Sequence, residues 1–540
     1  MEVALLLTVL SALAIAGPAQ ASRFAFDRAF GLDVDAAAPG TGFEICTVAA
    51  NCKASTFGSA GGQFSNIRGS ATDAAGNTYV ADTSNRRIQK FDAAGNFVAA
   101  WGKDVVAGGG TGAEICTVVT SCKAGVFGGL GGEFLNGPNG VAVDSAGNIY
   151  VADGSRVEKF NSALVFQRMW GKDVLATGGS GPEICTVAAN CTPGNIIAAQ
   201  GGEFAFASGI AVAPGGDVVV SDGNAHRIQR FNSSGTFQRA WGKDVLVGGG
   251  TGPEICTVAV NCKAGVAGGL GGEFSSPHGL AVGPGGDIYV GEGMRLSRFD
   301  ASGNFISTWG QDVVAGGATE PEICTVAVNC TTGVSGFRGG AFTGGPVLAS
   351  DAAGNVYAGD MNRRIQEFDA AGNFLMTWGK GVDGSLPGTG FEVCKVAASC
   401  NNGLSGVLGG ELARVAGVGV DAAGNVYAAE YDSSRLQKFV PAADPPPPSS
   451  DFVIGKLTRK KLPITIPGPG LIEVDGKLLK PSVVDAVEAG TYLVRLLLTK
   501  QAATKLKRKR KVKLKASVTF TPIGGAANTL SRKLKIKRKK

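Results

Sequence analysis

Twelve cysteines carry the clearest chemistry in this chain, and all of them fall into one motif. Cys-x5-Cys recurs as Cys46 with Cys52, Cys116 with Cys122, Cys185 with Cys191, Cys256 with Cys262, Cys324 with Cys330 and Cys394 with Cys400. The first cysteines of successive pairs lie 70, 69, 71, 68 and 70 residues apart. Two thiols at a short fixed spacing can close a disulfide or contribute to a metal site. Zinc usually takes four ligands, and each loop offers two thiols and no histidine. A disulfide within each loop is therefore expected, and no metal. Pairing across copies is the harder alternative, because loops of separate repeats must stay apart. Two residues before each first cysteine stands a glutamate: Glu44, Glu114, Glu183, Glu254, Glu322 and Glu392. A ring of six carboxylates is a candidate binding crown for cations or a basic partner. The alternative is that each carboxylate hydrogen-bonds its own loop backbone and fixes its shape.

A second recurrent set pairs an acid with an arginine a few residues on: Asp82/Arg87, Asp153/Arg156, Asp222/Arg227, Glu292/Arg295, Asp360/Arg364 and Glu430/Arg435. Flanking one hairpin turn, such a pair reads as a buttressing ion pair. The competing reading is a ring of guanidinium groups facing an anionic ligand. Catalytic chemistry is poorly supplied. The two histidines, His226 and His278, fall in different repeats and read as loop residues. There is no Gly-x-Ser-x-Gly elbow, no His-x-x-x-His pair and no phosphate loop. No catalytic residue, no cofactor and no enzymatic activity are expected.

These groups must be held by whatever the repeat folds into. In Gly131–Trp170 a turn-rich lead-in is followed by four short strand-like runs, separated by hairpin turns. Four strands per unit at a long fixed period are the signature of a propeller blade. No stretch sustains a 3.6-residue apolar period, so the class is all-β. The turn Asp73-Ala-Ala-Gly76-Asn77 and its copies supply an Asp that bonds backbone two residues on, and a Gly free to take positive φ. All five tryptophans stand four residues after a phenylalanine, as in Phe97/Trp101, which puts both on one strand face. They are expected to pack between neighbouring blades.

The runs P-x-G-[IVL]-A-V-D, A-G-N-x-Y-V-A-D, R-I-Q-x-F and G-x-F resemble NHL repeats, over about residues 23–440. That resemblance implies a six-bladed β-propeller, and six units are present. The last unit lacks its fourth strand, while Phe26-x-x-x-Phe30-Gly31-Leu32-Asp33-Val34 matches the Phe-x-x-x-Trp-Gly-Lys-Asp-Val of the others. The N-terminal strand should therefore complete the sixth blade. The long Cys loop after each Trp-Gly departs from the family pattern. Its disulfide is expected to pin a surface loop outside the sheets. Placed between an outer strand and the next inner strand, all six loops should emerge on one face as a crown. Enzymes similar to this fold use histidines around zinc, or an acidic and Asn set around calcium, and neither set maps onto this sequence. A metal-dependent lactonase-like hydrolase or lyase is the alternative function, and a structural cell-surface component another.

Residues 1–21 read as a signal peptide, from the apolar run Val3–Gly17 and the small-x-small site Ala19-Gln20-Ala21. With paired cysteines this points to a secreted or envelope-associated protein. No later run is long and apolar enough to span a membrane as a helix. The net charge of +7 is divided: residues 451–540 hold 23 basic and 5 acidic residues, leaving 28 basic against 39 acidic in 1–450. The expected organisation is a propeller over 22–440, a proline-rich linker over 441–450 and a basic module over 451–540. The runs Ile466-Pro-Gly-Pro-Gly-Leu-Ile and Val518-Thr-Phe-Thr-Pro resemble small Ig-like β-sandwich modules that end many actinobacterial exported proteins. The expected function is a binding scaffold that recognises a protein or polymeric ligand on the loop face. The basic module would meet an anionic cell-wall or lipid surface rather than nucleic acid.

Overall fold

The computed structural model describes residues 23–538 apart from 38–39, 41, 136, 197–199, 387, 389, 443–449, 459, 469, 487 and 523–526. The expected signal peptide and most of the proline-rich linker lie outside the described residues. The chain divides into two compact units, Met1–Ala442 and Ala443–Lys540.

The first unit is built from six antiparallel sheets of five strands each. Blade 1 runs outward through Ile67–Thr72, Thr78–Asp82, Arg87–Phe91, Phe97–Lys103 and Ala113–Cys116. Four of these are the expected strands. The fifth comes from the Cys loop. It pairs Cys116 with Ala100 and Lys103 with Ala113, and so covers what would be the outer edge. Second strands such as Thr78–Asp82 are buried on both faces, because each blade is sandwiched between two neighbours.

Blade 6 takes strands from both ends of the unit. Its order is Phe43–Cys46, Arg23–Leu32, Arg435–Ala442, Val426–Glu430 and Val415–Val420. The N-terminal strand runs along Arg435–Ala442 from the pair Arg23/Ala442 to the pair Gly31/Arg435.

Aromatic side chains join blade to blade. Trp101 meets Phe160 at 6.0 Å between ring centroids, and Trp170, Trp241, Trp309 and Trp378 repeat the contact with Phe231, Phe299, Phe368 and Phe439. Blade 6 has no tryptophan. Phe30 takes its place, 5.2 Å from Phe91 of blade 1. A glycine of the next blade lies on each of three indoles: a Cβ on Gly235 would come within 2.8 Å of Trp170, and Gly235 also has φ +81°. Only glycine meets both demands. The turns form as their chemistry dictates, with Asp73 Oδ1 accepting from the amides of Ala75 and Asn77 at 3.0 and 2.9 Å.

The second unit has a three-stranded and a four-stranded sheet over one core, with Leu462 and Ile464 of one packed with Ile472, Val518 and Phe520 of the other. This is the sandwich-like arrangement, with one addition. Lys500–Lys509 is an α-helix, capped by Thr499, whose Oγ1 accepts from the Ala502 amide at 3.3 Å. Ala502 and Leu506 bury one face of it. Its basic last turn suits the negative end of the helix dipole.

The candidate functional face

All twelve cysteines pair within their own loops. The six disulfides are Cys46–Cys52, Cys116–Cys122, Cys185–Cys191, Cys256–Cys262, Cys324–Cys330 and Cys394–Cys400. Their expected place outside the sheets is corrected at both ends of each bond. The first cysteine of each pair ends the fifth strand of its blade, as Cys116 does in Ala113–Cys116. The second cysteine forms a backbone bridge to the start of its own loop. Cys52 meets Asp35, Cys122 meets Val106, Cys191 meets Leu175, Cys262 meets Leu246, Cys330 meets Val314 and Cys400 meets Asp383. All twelve are buried, the most accessible being Cys122 at 5%. Each disulfide therefore ties the blade edge to a loop that has folded back onto it.

The register sets where these loops lie. Cys116 faces Ala100, in the middle of Phe97–Lys103, so the loop runs along the rim of its blade instead of standing above the face. The six loops form a belt around the circumference. The expected crown is corrected in this respect, because the Glu-Ile-Cys run has the alternation to add a strand and does so. At the tip of each loop a valine is exposed: Val48, Val118, Val187, Val258, Val326 and Val396 keep between 52% and 62% of their surface.

The crown glutamates turn inward to their own loops. Glu44 accepts from the amides of Asp35 and Gly40 at 2.9 Å each. Glu392 accepts from those of Asp383 and Gly388 at 3.0 Å each. Glu114, Glu254 and Glu322 likewise accept from two loop amides each, and Glu183 from the Leu175 amide at 2.9 Å. The structure gives them the shape-fixing role and not that of an open carboxylate ring.

The six arginines are buried, so they do not face a ligand. Arg87 Nε donates to Asp82 at 2.8 Å. Its Nη1 donates to the carbonyls of Ser59 and Lys123 at 2.6 and 3.0 Å, and its Nη2 to those of Ala60 and Gln63 at 2.9 and 2.8 Å. The planar fork thus ties the hairpin turn to the lead-in segment and to the end of the Cys loop. Arg435 does the same across the two ends of the unit, reaching the Lys53 carbonyl at 2.9 Å.

Beside this arginine, Gln89 donates to Asp82 and accepts from the Gly62 amide, and Gln229 and Gln437 repeat both bonds in their blades. Blade 2 carries Glu158 there, sharing Arg156 with Asp153. Burial, with the Asp153 charge adding and Arg156 opposing, pushes Glu158 up to about 8. The folded state therefore holds a proton that the unfolded chain releases above its ordinary range. This group's contribution is full at low pH and is lost as pH rises toward about 8. Glu158→Gln is expected to stabilise the propeller by about 1–3 kcal/mol at pH 8 and to be near neutral at pH 4.5. Urea unfolding of both proteins at the two pH values checks it.

At the axis, the inner strands approach to backbone contact. A Cβ on Gly69 would lie 2.7 Å from the Asn139 carbonyl, on Gly140 2.4 Å from that of Ser208, and on Gly209 1.9 Å from that of His278. Glycines hold the channel narrow here. The residues just before this position in the six blades are Arg68, Asn139, Ser208, His278, Pro346 and Ala416. Elsewhere the repeats are near copies, and here all six differ.

Above the narrow point, on the side of the hairpin turns that end each second strand, lies a bowl of about 420 Å³. Arg68, His278, Asp360, Arg414 and Tyr431 supply its polar wall, with Val347, Met361 and Val415 as apolar lining. The Arg414 guanidinium lies 4.0 Å from the Tyr431 ring centroid and 3.2 Å from Asp432. Its Nε is buried without a hydrogen-bond partner, as is His278 Nδ1. Burial, with the Arg68 charge second, lowers His278 and favours its neutral form. Burial raises Asp360 to about 6 against the pull of Arg364. His278 lies in the inner strand Pro277–Val282, a correction to its reading as a loop residue. His226 is occupied structurally, its Nδ1 accepting from the Ser276 amide at 3.0 Å. Among the described residues no three of His, Cys, Asp or Glu group as a metal site. Arg68, Arg414 and Tyr431 were not legible as site residues, because none recurs at the matching position of another repeat, Tyr431 standing where three other repeats have Gly154, Gly223 and Gly293.

Residues 67–193 match the family described as the Teneurin NHL domain, and residues 204–231 match the NHL repeat. Nothing among curated protein sequences matches the chain. Among solved structures it is similar to a gluconolactonase from Xanthomonas campestris at 10% identity and TM-score 0.33, covering 79% of this chain and 99% of that one. It is also similar to a streptogramin B lyase at 9% identity and TM-score 0.31, covering 70% of this chain and 93% of that one. Likeness at this level carries nothing about activity. Residues 67–193 and 204–231 thus carry NHL-type sequence, within a β-propeller of six five-stranded sheets.

Proposed function

We propose that the chain is a non-enzymatic binding scaffold that seats an anionic group of a protein or polymer partner in the axial bowl. One observation carries this reading: two guanidinium groups, Arg68 of the divergent ring and Arg414 two residues before the ring position Ala416, line one cavity. Planar guanidinium donors suit carboxylate and phosphate oxygens. Arg414 keeps 36% of its side chain exposed. The neutral His278 and the apolar lining suit a ligand with an uncharged body. A rigid frame supports such a role: buried arginines fix the hairpin turns and lead-in segments beside the bowl, and disulfides with loop-bound glutamates fix the outer rim.

The non-enzymatic reading rests on side chains. At the narrow point the inner strands meet through glycine and backbone, and the one carboxylate of the bowl, Asp360, is already engaged, accepting from the Asn362 amide at 2.8 Å. Six disulfides with no free cysteine belong to an oxidising environment, and we place the chain outside the cell on that ground. No described helix is long and apolar enough to cross a membrane.

The experiment is a thermal-shift panel of small carboxylate and phosphate anions against the full chain and an Arg68→Gln, Arg414→Gln variant. A saturable upward shift in the parent, lost in the variant, is expected, with affinity falling at least about tenfold. No shift with any anion, or a shift the variant retains, would contradict the proposal.

A further inference from the structure

The second unit carries an arrangement that its own stability does not favour. Lys511–Pro522 and Asn528–Lys537 pair antiparallel, and the register sets Lys511 opposite Lys537, Lys513 opposite Lys535, and Lys515 opposite Lys533. All six lysines are exposed, while the alternate residues Val512, Leu514, Leu534 and Ile536 are buried in the sandwich core. Directly opposed side chains in a sheet have Cβ atoms only ~5 Å apart, and like charges there are destabilising. Protection of an exposed strand edge needs lysines on one strand only. A ladder of three facing pairs exceeds that need.

The rows continue into Ser517 opposite Ser531, which gives four ranks on one face. Lys513, Lys515, Ser517, Ser531, Lys533 and Lys535 line a trough of about 770 Å³ whose side wall is Lys477 and Leu478. Successive ranks of a strand stand ~6.8 Å apart. The face thus offers paired ammonium groups at a regular interval along the hairpin, with small hydroxyls and no exposed aromatic among the residues lining it. Ammonium groups act as point charges without bidentate geometry. The surface therefore selects for charge and spacing and not for a particular group.

We infer that this hairpin is the binding site for an extended, single-chain polyanion that lies along the ladder and neutralises the facing lysines. A linear polymer fits better than a bilayer, because the exposed ranks carry only lysine and serine. The leucines of the trough are either buried, as Leu514 and Leu534 are, or half-buried in the wall, as Leu478 is, leaving no large exposed apolar group to insert among acyl chains. The polymer fits better than a duplex, because the ladder is one strand pair wide. The inference stands independently of the axial bowl, in a separate unit.

Three forms of the full chain test it: the parent, a ladder variant (Lys513→Thr, Lys515→Thr, Lys533→Thr, Lys535→Thr), and a charge-matched control on the helix (Lys505→Gln, Lys507→Gln, Arg508→Gln, Lys509→Gln). The probe is poly(glycerol phosphate), with phosphatidylglycerol vesicles and a short DNA duplex as comparison arms. Saturable, salt-sensitive binding of the polymer is expected, weakened roughly 10- to 100-fold in the ladder variant and under about threefold in the control. The ladder variant should also melt no lower than the parent, since its substitutions relieve repulsion, and this separates lost binding from lost folding. Absence of polymer binding, equal losses in the two variants, or tighter binding of vesicles or duplex than of polymer would each overturn the inference.

Discussion

Removing residues 22–34 from an otherwise intact chain is expected to collapse the sixth blade and with it the cooperative fold of the propeller. The strand Arg23–Leu32 holds both partners of its sheet apart, pairing with Arg435–Ala442 on one side and Phe43–Cys46 on the other. It carries Phe24, stacked on Trp378 at 4.4 Å between centroids, and Phe30, the blade-6 substitute for tryptophan against Phe91. Loss of each buried phenylalanine costs about 3–5 kcal/mol, and a folded domain has only about 5–15 kcal/mol to lose. The truncated chain should expose two strand edges, aggregate on expression or melt far below the parent, and be cut rapidly by protease near residues 415–442. Equal melting temperatures for the two proteins would show that the strand does not complete the blade.

Substituting one buried arginine should be the most damaging single change. Arg227→Met is expected to cost about 3–5 kcal/mol. Arg227 has no exposure and donates to Asp222 at 3.2 Å and to the carbonyls of Lys263, Gln200 and Glu203 at 2.8–2.9 Å. Methionine fills much of the volume but leaves these acceptors in a water-free site. Burial already pushes Asp222 up against the pull of Arg227, so the orphaned carboxyl would take a proton and the loss would be greater at pH 8 than at pH 5. Adding Asp222→Leu should recover part of the loss, because an apolar pair is often no worse than a buried ion pair. By contrast, Arg338→Met removes an exposed pair with Glu320, at 39% and 49% exposure, and should cost under about 1 kcal/mol. Chemical unfolding of these variants beside the parent ranks them. Hydrogen exchange at Lys263–Gly265 should quicken in Arg227→Met and not in Arg338→Met, since Arg227 holds that segment through the Lys263 carbonyl.

What the sequence revealed and what it hid follow from repetition itself. A pattern written in copy after copy is legible: the Asp-x-x-Gly turns, the Phe and Trp at inter-blade contacts and the cysteine pairing within each loop all declared themselves this way. The replacement of tryptophan by Phe30 could be read because the motif around it persisted. Glu-Ile-Cys was too short to be recognised as a strand, since its three residues acquire strand geometry only by pairing with the strand before them. For the same reason the bridges made by Cys122, Cys191, Cys262 and Cys330 were hidden, each resting on a single backbone contact within its loop. The helix Lys500–Lys509 was hidden by its charge, because only Ala502 and Leu506 mark its buried face. The bowl was hidden for the opposite reason to the blades. Arg68, His278 and Arg414 lie far apart in the chain and occupy positions where the copies disagree, and only the ring brings them to one cavity.

The most direct test of the account is the location of a bound anion in crystals of the full chain grown with citrate and in a second set grown without it. The account predicts citrate in the axial bowl, with carboxylate oxygens within hydrogen-bond distance of the Arg68 and Arg414 guanidinium groups. A bowl holding only solvent at citrate concentrations far above those that shift the melting temperature, with the anion seated elsewhere, would contradict it.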